Sequence, residues 1–495
     1  MLRVSADIPW AEFLSSVCSN GDYYPRDTPG RLCTYFNSTN IDKIRGAWEK
    51  TALLMKAGAA PQDIGLYIHW PFCPKECVFC SSSVFKDPGH EDMLDILKSI
   101  LCEIDSLADI FKGITFSSLW IGGGTPTCMP DEMFETLLSH VFRNFSFSST
   151  AQIYTESSLE TLSKSKLLIL KRYGFNRSTI IVQNGGANRE VDKAGSWRDV
   201  EDIFTKLNSL PGFIPDIALI ISERQTISSL LEDIKAILEL RPSCIHFYNF
   251  NDRHQTQSSV ENKIPEGAKG AVALALLERL DRIFLKSGYR IQRDDLENPR
   301  LYPWEEKQGG SVRKFRASVV GIGPNVVSHA FGSAWYTHSL DGILDNFSDS
   351  LPPFFWIRSD VEEEMRGYAS WYLSRSLRIP REAFRKLFGC DIMKTFLAEI
   401  FESWRNEGWL EIQENAVILK IADCISREVL LKRLYSRKIV SAILSSREEE
   451  FKQFCRSFRQ DPSSWRNDMR IKNEHPGFRV YYDAKFWGGR HANSV

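Results

Sequence analysis

The 495-residue sequence predicts an α/β protein, a parallel sheet curled into a partial (β/α)6 barrel with a smaller, mainly helical domain behind it. Three observations predict this. From about residue 65 to residue 293, short β-type runs alternate with stretches whose apolar residues recur at helical spacing. Three of the eleven cysteines crowd one loop directly after the first of those runs, and three consecutive glycines follow the second. Both sit where a parallel barrel builds its binding loops, past the C-terminal ends of the strands.

Composition excludes several classes. With 62 basic and 63 acidic residues the net charge is -1, which gives no global attraction to nucleic acid or to an anionic membrane. Residues 1–10 contain no apolar signal-peptide core, and no 18-residue apolar run occurs, so the expectation is a cytoplasmic protein without a membrane span. Outside the loop the cysteines are scattered, as in a reducing compartment.

Residues 1–64 read as an N-terminal cover with one helix over 42–55, ended by Gly58 and Pro61. The barrel occupies 65–293. Its first strand is Tyr67–Trp70; helix 91–111 follows, with Met93, Leu94, Leu97, Ile100, Leu101, Ile104 and Leu107 as the apolar stripe. Strand 119–121 runs into Gly122-Gly123-Gly124-Thr125-Pro126-Thr127 and helix 130–143. Strands at 152–156, 177–183, 216–221 and 245–250 then alternate with helices at 160–172, 197–209 and 227–240. A helix from about 266 to 286 leads out of the barrel into an irregular stretch and a second glycine turn, Gly321-Ile322-Gly323. Residues 294–425 read as the smaller domain, with Trp371, Leu377, Phe384, Phe388, Phe396, Ile400, Phe401 and Trp404 as core candidates, and 426–495 as a charged helical extension with an aromatic tail.

The cysteine loop carries the chemistry. It reads Cys73-Pro74-Lys75-Glu76-Cys77-Val78-Phe79-Cys80, a Cys-x3-Cys-x2-Cys spacing. Buried small hydrophobes have no reason to cluster so. A zinc site would take His69 as a fourth ligand. An iron–sulfur cluster held by three thiolates would leave one iron without a protein ligand, open for chemistry.

With its Cys-x3-Cys-x-aromatic-Cys loop, Phe79 at the aromatic position and the lead-in Tyr67-Ile68-His69-Trp70-Pro71-Phe72-Cys73, the chain resembles the radical S-adenosylmethionine (radical SAM) enzymes. Within them it is most similar to the oxygen-independent coproporphyrinogen oxidase-like (HemN-like) branch. The resemblance runs over roughly 64–420 and is strongest over 66–183. It implies a [4Fe-4S] cluster on Cys73, Cys77 and Cys80 and one or two molecules of S-adenosylmethionine. By the same resemblance the cofactor contacts are Tyr67, Phe79, Gly123, Gly124, Thr125, Glu156, Gln183, Arg198, Asp216, Phe250 and Val327. It implies further a small-molecule substrate, an external electron donor such as flavodoxin or ferredoxin, and a 5′-deoxyadenosyl radical aimed at one hydrogen.

Departures from the branch bear on the substrate. Ser82 stands where the coproporphyrinogen-oxidising proteins commonly carry a further cysteine, Ile220-Ile221-Ser222 replaces their Gly-Leu-Pro, and no basic cluster suited to a tetracarboxylate is visible. Where that branch places an arginine after the Val-Gln strand this chain has Ser196, with Arg198 close by. The reading is therefore C-methylation or cyclopropanation of a specialised metabolite with a second S-adenosylmethionine as donor. Oxidative decarboxylation of coproporphyrinogen III and haem carriage without turnover are the alternatives, the last with His246, His329 and His338 as the histidines available to it.

Overall fold

The computed structural model describes residues 38–74, 85–86, 88–183, 197–210, 212–221, 227–249, 283–284, 286–292, 300–303, 317–324, 326–338, 354–421, 430–446 and 452. They divide into two compact units: Met1–Lys75, Ser82–Ser178 and Arg313–Gln460 in the first, Glu76–Ser81, Thr179–Val312 and Asp461–Val495 in the second. The predicted helix over 266–286 and the tail beyond 453 lie outside the described residues.

The first unit is built on strand β2 (Ile64–Trp70), buried at every position except Tyr67. A strand buried on both faces belongs in the middle of a parallel sheet. Accordingly β5 (Thr115–Gly123) runs parallel on one side, from Gly65↔Ser118 to Trp70↔Gly123, and β12 (Ser318–Ile322) runs parallel on the other, from Ser318↔Ile64. Beyond β5 lies β6 (Ser146–Ser158), again parallel. Beyond β12 the sheet turns antiparallel through β13 (Val327–Ala330), β14 (Ala334–His338) and β15 (Phe354–Arg358), with β1 (Ser38–Thr39) at its edge. The short strands β3 (Phe72–Cys73) and β4 (Phe85–Lys86) pair with each other.

Helices cover this sheet. Helix α1 (Ile41–Lys56) starts where the Asn40 side chain accepts from the Lys43 amide. It turns Ile44, Trp48 and Met55 inward, and the Trp48 indole donates to the Tyr336 hydroxyl at 2.8 Å. Helix α1 is thus packed onto β14. Helix α2 (His90–Ala108) buries Ile96, Leu97, Ile100, Ile104 and Leu107. Together with α3 (Asp131–Asn144) and α4 (Lys164–Arg172) it supplies the crossovers between β2, β5, β6 and the next strand.

In the second unit, β7 (Arg177–Gln183), whose first two residues lie in the first unit, precedes α5 (Trp197–Asn208), β8 (Ile214–Ile221), α6 (Ile227–Leu240) and β9 (Ile245–Asn249). β8 and β9 pair in parallel from Ile217↔Ile245. An antiparallel hairpin of β10 (Tyr289–Gln292) and β11 (Arg300–Pro303) adds to β9 through β11. The stretch after residue 293, expected to be irregular, therefore contains a strand. All six barrel strands expected from the sequence are present, and the architecture is a mixed α/β fold with a large parallel sheet.

Two boundaries differ from expectation. The stretch 317–358, assigned from sequence to the smaller domain, supplies β12 to β15 to the main sheet. The smaller core begins at α7 (Val361–Arg375), capped by Asp360. It continues through β16 (Arg378–Pro380), α8 (Arg381–Phe388), α9 (Leu397–Asn406), β17 (Leu410–Ile412) and β18 (Ala416–Leu419), with the strands in the order β16-β18-β17. It is mainly helical but carries this three-stranded sheet. Phe384, Phe401 and Trp404 are buried there as expected, and so are Leu430, Leu431 and Leu434, ahead of α10 (Arg437–Ser446), so this core extends past residue 425.

Candidate functional site

Parallel register brings the first group of residues together. Because β2, β5 and β6 run in step, Tyr67 stands beside Trp120 and Trp120 beside Tyr154. The rings follow, with centroids 4.6 Å apart for Tyr67–Trp120 and 5.2 Å, nearly coplanar at 17°, for Trp120–Tyr154. Two residues further along the same face are His69, paired with Gly122, and Glu156. A side chain on Gly122 would meet both the Trp120 Nε1 and, at 3.2 Å, a Glu156 carboxylate oxygen. Glycine is thus what lets Glu156, half-buried at the end of β6, reach over the end of β5.

The glycine turn closes against the cysteine strand. Gly123 has φ +109°, and a Cβ there would lie 2.7 Å from the His69 ring and from the Trp70 carbonyl; at Gly124 it would lie 2.3 Å from the Phe72 carbonyl. The Gly124 amide donates to the Trp70 carbonyl at 2.6 Å and the Thr125 amide to the Phe72 carbonyl at 2.8 Å. Both amides are spent within the chain, and they fix where Cys73 emerges.

Cys73 is half-exposed, with Sγ 3.6 Å from the Thr125 hydroxyl, itself buried. Cys128 lies behind it, its thiol directed at the Phe72 carbonyl at 3.6 Å, and burial pushes that thiol's pKa up. A half-exposed sulfur with a hydroxyl donor beside it suits a thiolate ligand. Cys73 itself therefore fits the role of a cluster ligand; Cys77, Phe79 and Cys80 lie outside the described residues, as does Phe250.

His69 is the residue sequence reading undervalued. It weighed His69 only as a zinc ligand. The ring is buried, its Nδ1 shares a 2.9 Å hydrogen bond with the Tyr67 hydroxyl, and its Nε2 has no partner among the described residues. Burial, with the nearby His338 adding to it, lowers its pKa to about 4, so the imidazole is neutral at neutral pH. As pH falls from about 6.5 towards 4 the unfolded chain gains a proton at this position and the folded chain does not, so folded stability drops over that window. The loss attributable to His69 is ~3 kcal/mol. His69→Gln removes it: the stability difference between variant and wild type shifts towards the variant by that amount between pH 7.5 and 4 in urea titrations. Parallel pH curves for the two proteins would show the assignment to be wrong.

The remaining expected residues are placed as follows. Val327 opens β13, half-buried and paired with Thr337. In the second unit, Gln183 ends β7, Arg198 is exposed on the first turn of α5, and Asp216 is buried on β8 with one oxygen 4.0 Å from His246 Nε2. Two of the histidines reserved for haem are otherwise engaged: His329 stacks on Trp335 and bonds to Glu364 at 2.9 Å, and His338 bonds to Glu103 at 2.6 Å. Thus Tyr67, Cys73, Gly123, Gly124, Thr125 and Glu156 converge at the ends of β2, β5 and β6.

Residues 67–218, which span this convergence, match the family model described as the Radical SAM superfamily. This segment is a radical SAM domain. Among curated relatives, the oxygen-independent coproporphyrinogen III oxidase of Escherichia coli is 31% identical over 207 residues, covering 41% of this chain and 45% of that protein. The heme chaperone HemW of Buchnera aphidicola (subsp. Schizaphis graminum) is 26% identical over 191 residues, covering 37% of this chain and 50% of that one. The mitochondrial radical S-adenosyl methionine domain-containing protein 1 of Danio rerio is 27% identical over 313 residues, covering 62% and 68%. The chain thus spans less than half the length of the E. coli oxidase in that match. The solved coproporphyrinogen III oxidase HemN from E. coli shares the fold, with a TM-score of 0.60 at 18% identity over 77% of this chain and 92% of that one. Among the described residues, no helix is long and apolar enough to cross a membrane.

Proposed function

We propose that this radical SAM protein holds a [4Fe-4S] cluster on Cys73, Cys77 and Cys80 and cleaves S-adenosylmethionine reductively. The radical serves C-methylation or cyclopropanation of a specialised metabolite, with a second S-adenosylmethionine as donor. One observation carries the reading: the half-exposed Cys73 leaves β2 directly against the Gly-Gly-Gly-Thr turn, with Glu156 reaching over the same strand ends. When bound, the cluster supplies one electron to the sulfonium and so the 5′-deoxyadenosyl radical.

The chain's own residues do the rest. With Cys73 as a thiolate ligand, the Thr125 hydroxyl beside it is the donor to its sulfur and steadies its charge. The Glu156 carboxylate accepts a charge-assisted hydrogen bond from the ammonium of the methionine moiety. The Tyr67 hydroxyl is bound to His69, so the Tyr67 ring is the part turned to the ligand, on the same face as Trp120 and Tyr154. Gln183, Arg198, Asp216, Phe250 and Val327 are the further cofactor contacts of this reading. The electron comes from an external carrier such as flavodoxin or ferredoxin in a reducing cytoplasm.

Ser82 and Ile220-Ile221-Ser222 favour methyl transfer over porphyrin chemistry. A second reading, coproporphyrinogen III decarboxylation, is favoured by the 31% identity to the E. coli oxidase, and haem carriage by the HemW relatives. The products separate them. Methyl transfer releases S-adenosylhomocysteine together with 5′-deoxyadenosine, decarboxylation releases 5′-deoxyadenosine without it, and a carrier binds haem and releases neither in quantity. Mass-spectrometric quantification of both nucleosides is expected to give both, and 5′-deoxyadenosine alone would move the assignment to decarboxylation.

A further inference from the structure

A buried carboxylate behind the site is not used by the chemistry above. Glu103 stands on α2, 2% exposed, surrounded by Ile100, Ile104 and Leu107 of its own helix. A carboxylate in such a place is costly unless both oxygens are engaged. Both are. One oxygen accepts from His338 Nε2 at 2.6 Å and the other from the Gly323 amide at 2.9 Å.

Gly323 leads from there to the site. Its φ is +97°, and a Cβ on it would lie 2.7 Å from the His69 carbonyl oxygen, so the second glycine turn rests directly on the backbone of β2 four residues before Cys73. The His69 ring packs on Gly123, and the Gly124 and Thr125 amides hold the Trp70 and Phe72 carbonyls. An unbroken series of contacts therefore joins Glu103, through Gly323 and His69, to the strand that carries Cys73 and to the glycine turn.

We infer that Glu103 is a positioning residue for S-adenosylmethionine: its two hydrogen bonds, to Gly323 and His338, press the second glycine turn onto the end of β2 and so set how the Phe72–Cys73 strand meets the Gly123–Thr125 turn. This rests on the radical SAM reading of the site. Glu103 touches neither the loop cysteines nor the glycine turn in the contacts described, so it acts through Gly323. Glu103→Gln keeps the shape but leaves only one acceptor oxygen for two buried N–H donors.

The test is made on the full chain after anaerobic iron–sulfur reconstitution, with S-adenosylmethionine itself as the probe. Iron content, thermal midpoint, Kd for S-adenosylmethionine, and both the KM and the maximal rate at which 5′-deoxyadenosine is released are compared for wild type and Glu103→Gln. The expected result is unchanged iron content per folded chain with a Kd and KM raised about tenfold. A variant that only melts earlier, while its iron-loaded fraction binds S-adenosylmethionine as wild type does, would make Glu103 merely structural. Should Glu103→Gln fail to fold, His338→Phe keeps the ring, removes one of the two donors and leaves the Gly323 bond in place; the same rise in Kd, reduced in size, is expected, and no rise overturns the inference. A wild type that binds S-adenosylmethionine but releases no 5′-deoxyadenosine refutes the radical reading while the Kd comparison still decides the role of Glu103. A wild type that binds none refutes both.

Discussion

Cys77→Ala abolishes iron loading and with it all release of 5′-deoxyadenosine. Three thiolates hold a four-iron cluster with one iron left open, and removing one leaves two irons without protein ligands. The expected reading is loss of the broad absorption near 400 nm after anaerobic reconstitution, iron content near zero, and product below detection. The fold is expected to survive, because β2 is held by β5 and β12 on its two sides. A Cys77→Ala protein with full iron and normal turnover would overturn the assignment of the loop.

Gly124→Ala has the second largest effect, for a different reason. The new methyl group would be driven to 2.3 Å from the Phe72 carbonyl oxygen, a backbone atom that cannot rotate away, in a loop pinned by the bonds to Trp70 and Phe72. Relief requires the glycine turn and β3 to separate, at a cost of about 3 kcal/mol, the upper part of the range for overpacking. S-adenosylmethionine binding is lost along with it, since the turn and the Cys73 strand no longer meet. Gly174→Ala is the control: its φ of +71° costs about 1 kcal/mol, but nothing lies within 4 Å of the new methyl, and cofactor binding stays as in wild type. Equal losses of binding in the two variants, measured by calorimetry, would remove the steric argument.

Much of this was legible in the sequence, because local pattern carries it. Strand and helix alternation follows from hydrophobic period, and the loops after strands follow from parallel connectivity. The cysteine spacing and the glycine run name their own chemistry. What was not legible is non-local. β12 joins β2 through pairs such as Ser318↔Ile64, far apart in the chain, and nothing in either segment announces the other. The smaller domain was therefore begun too early. His69 and Glu103 were missed because a residue's partner, not its type, makes it functional. In Glu103's case a signal existed: position 103 falls on the buried stripe of α2, three residues after Ile100 and four before Leu107, so an acid there must find a buried donor. The three-ring row of Tyr67, Trp120 and Tyr154 likewise needs only the register of three parallel strands, which the glycine run and the strand ends fix once the fold is known.

The central claim is that this chain is a working radical SAM protein. It is tested most directly by reconstituting the purified chain with iron and sulfide under anaerobic conditions, adding S-adenosylmethionine and a strong reductant, and quantifying 5′-deoxyadenosine by mass spectrometry against a Cys73→Ala, Cys77→Ala, Cys80→Ala triple variant. The account predicts about four irons per wild-type chain and 5′-deoxyadenosine that accumulates with time, with neither in the variant. A wild-type chain that loads the same iron yet yields no more 5′-deoxyadenosine than the variant would contradict it.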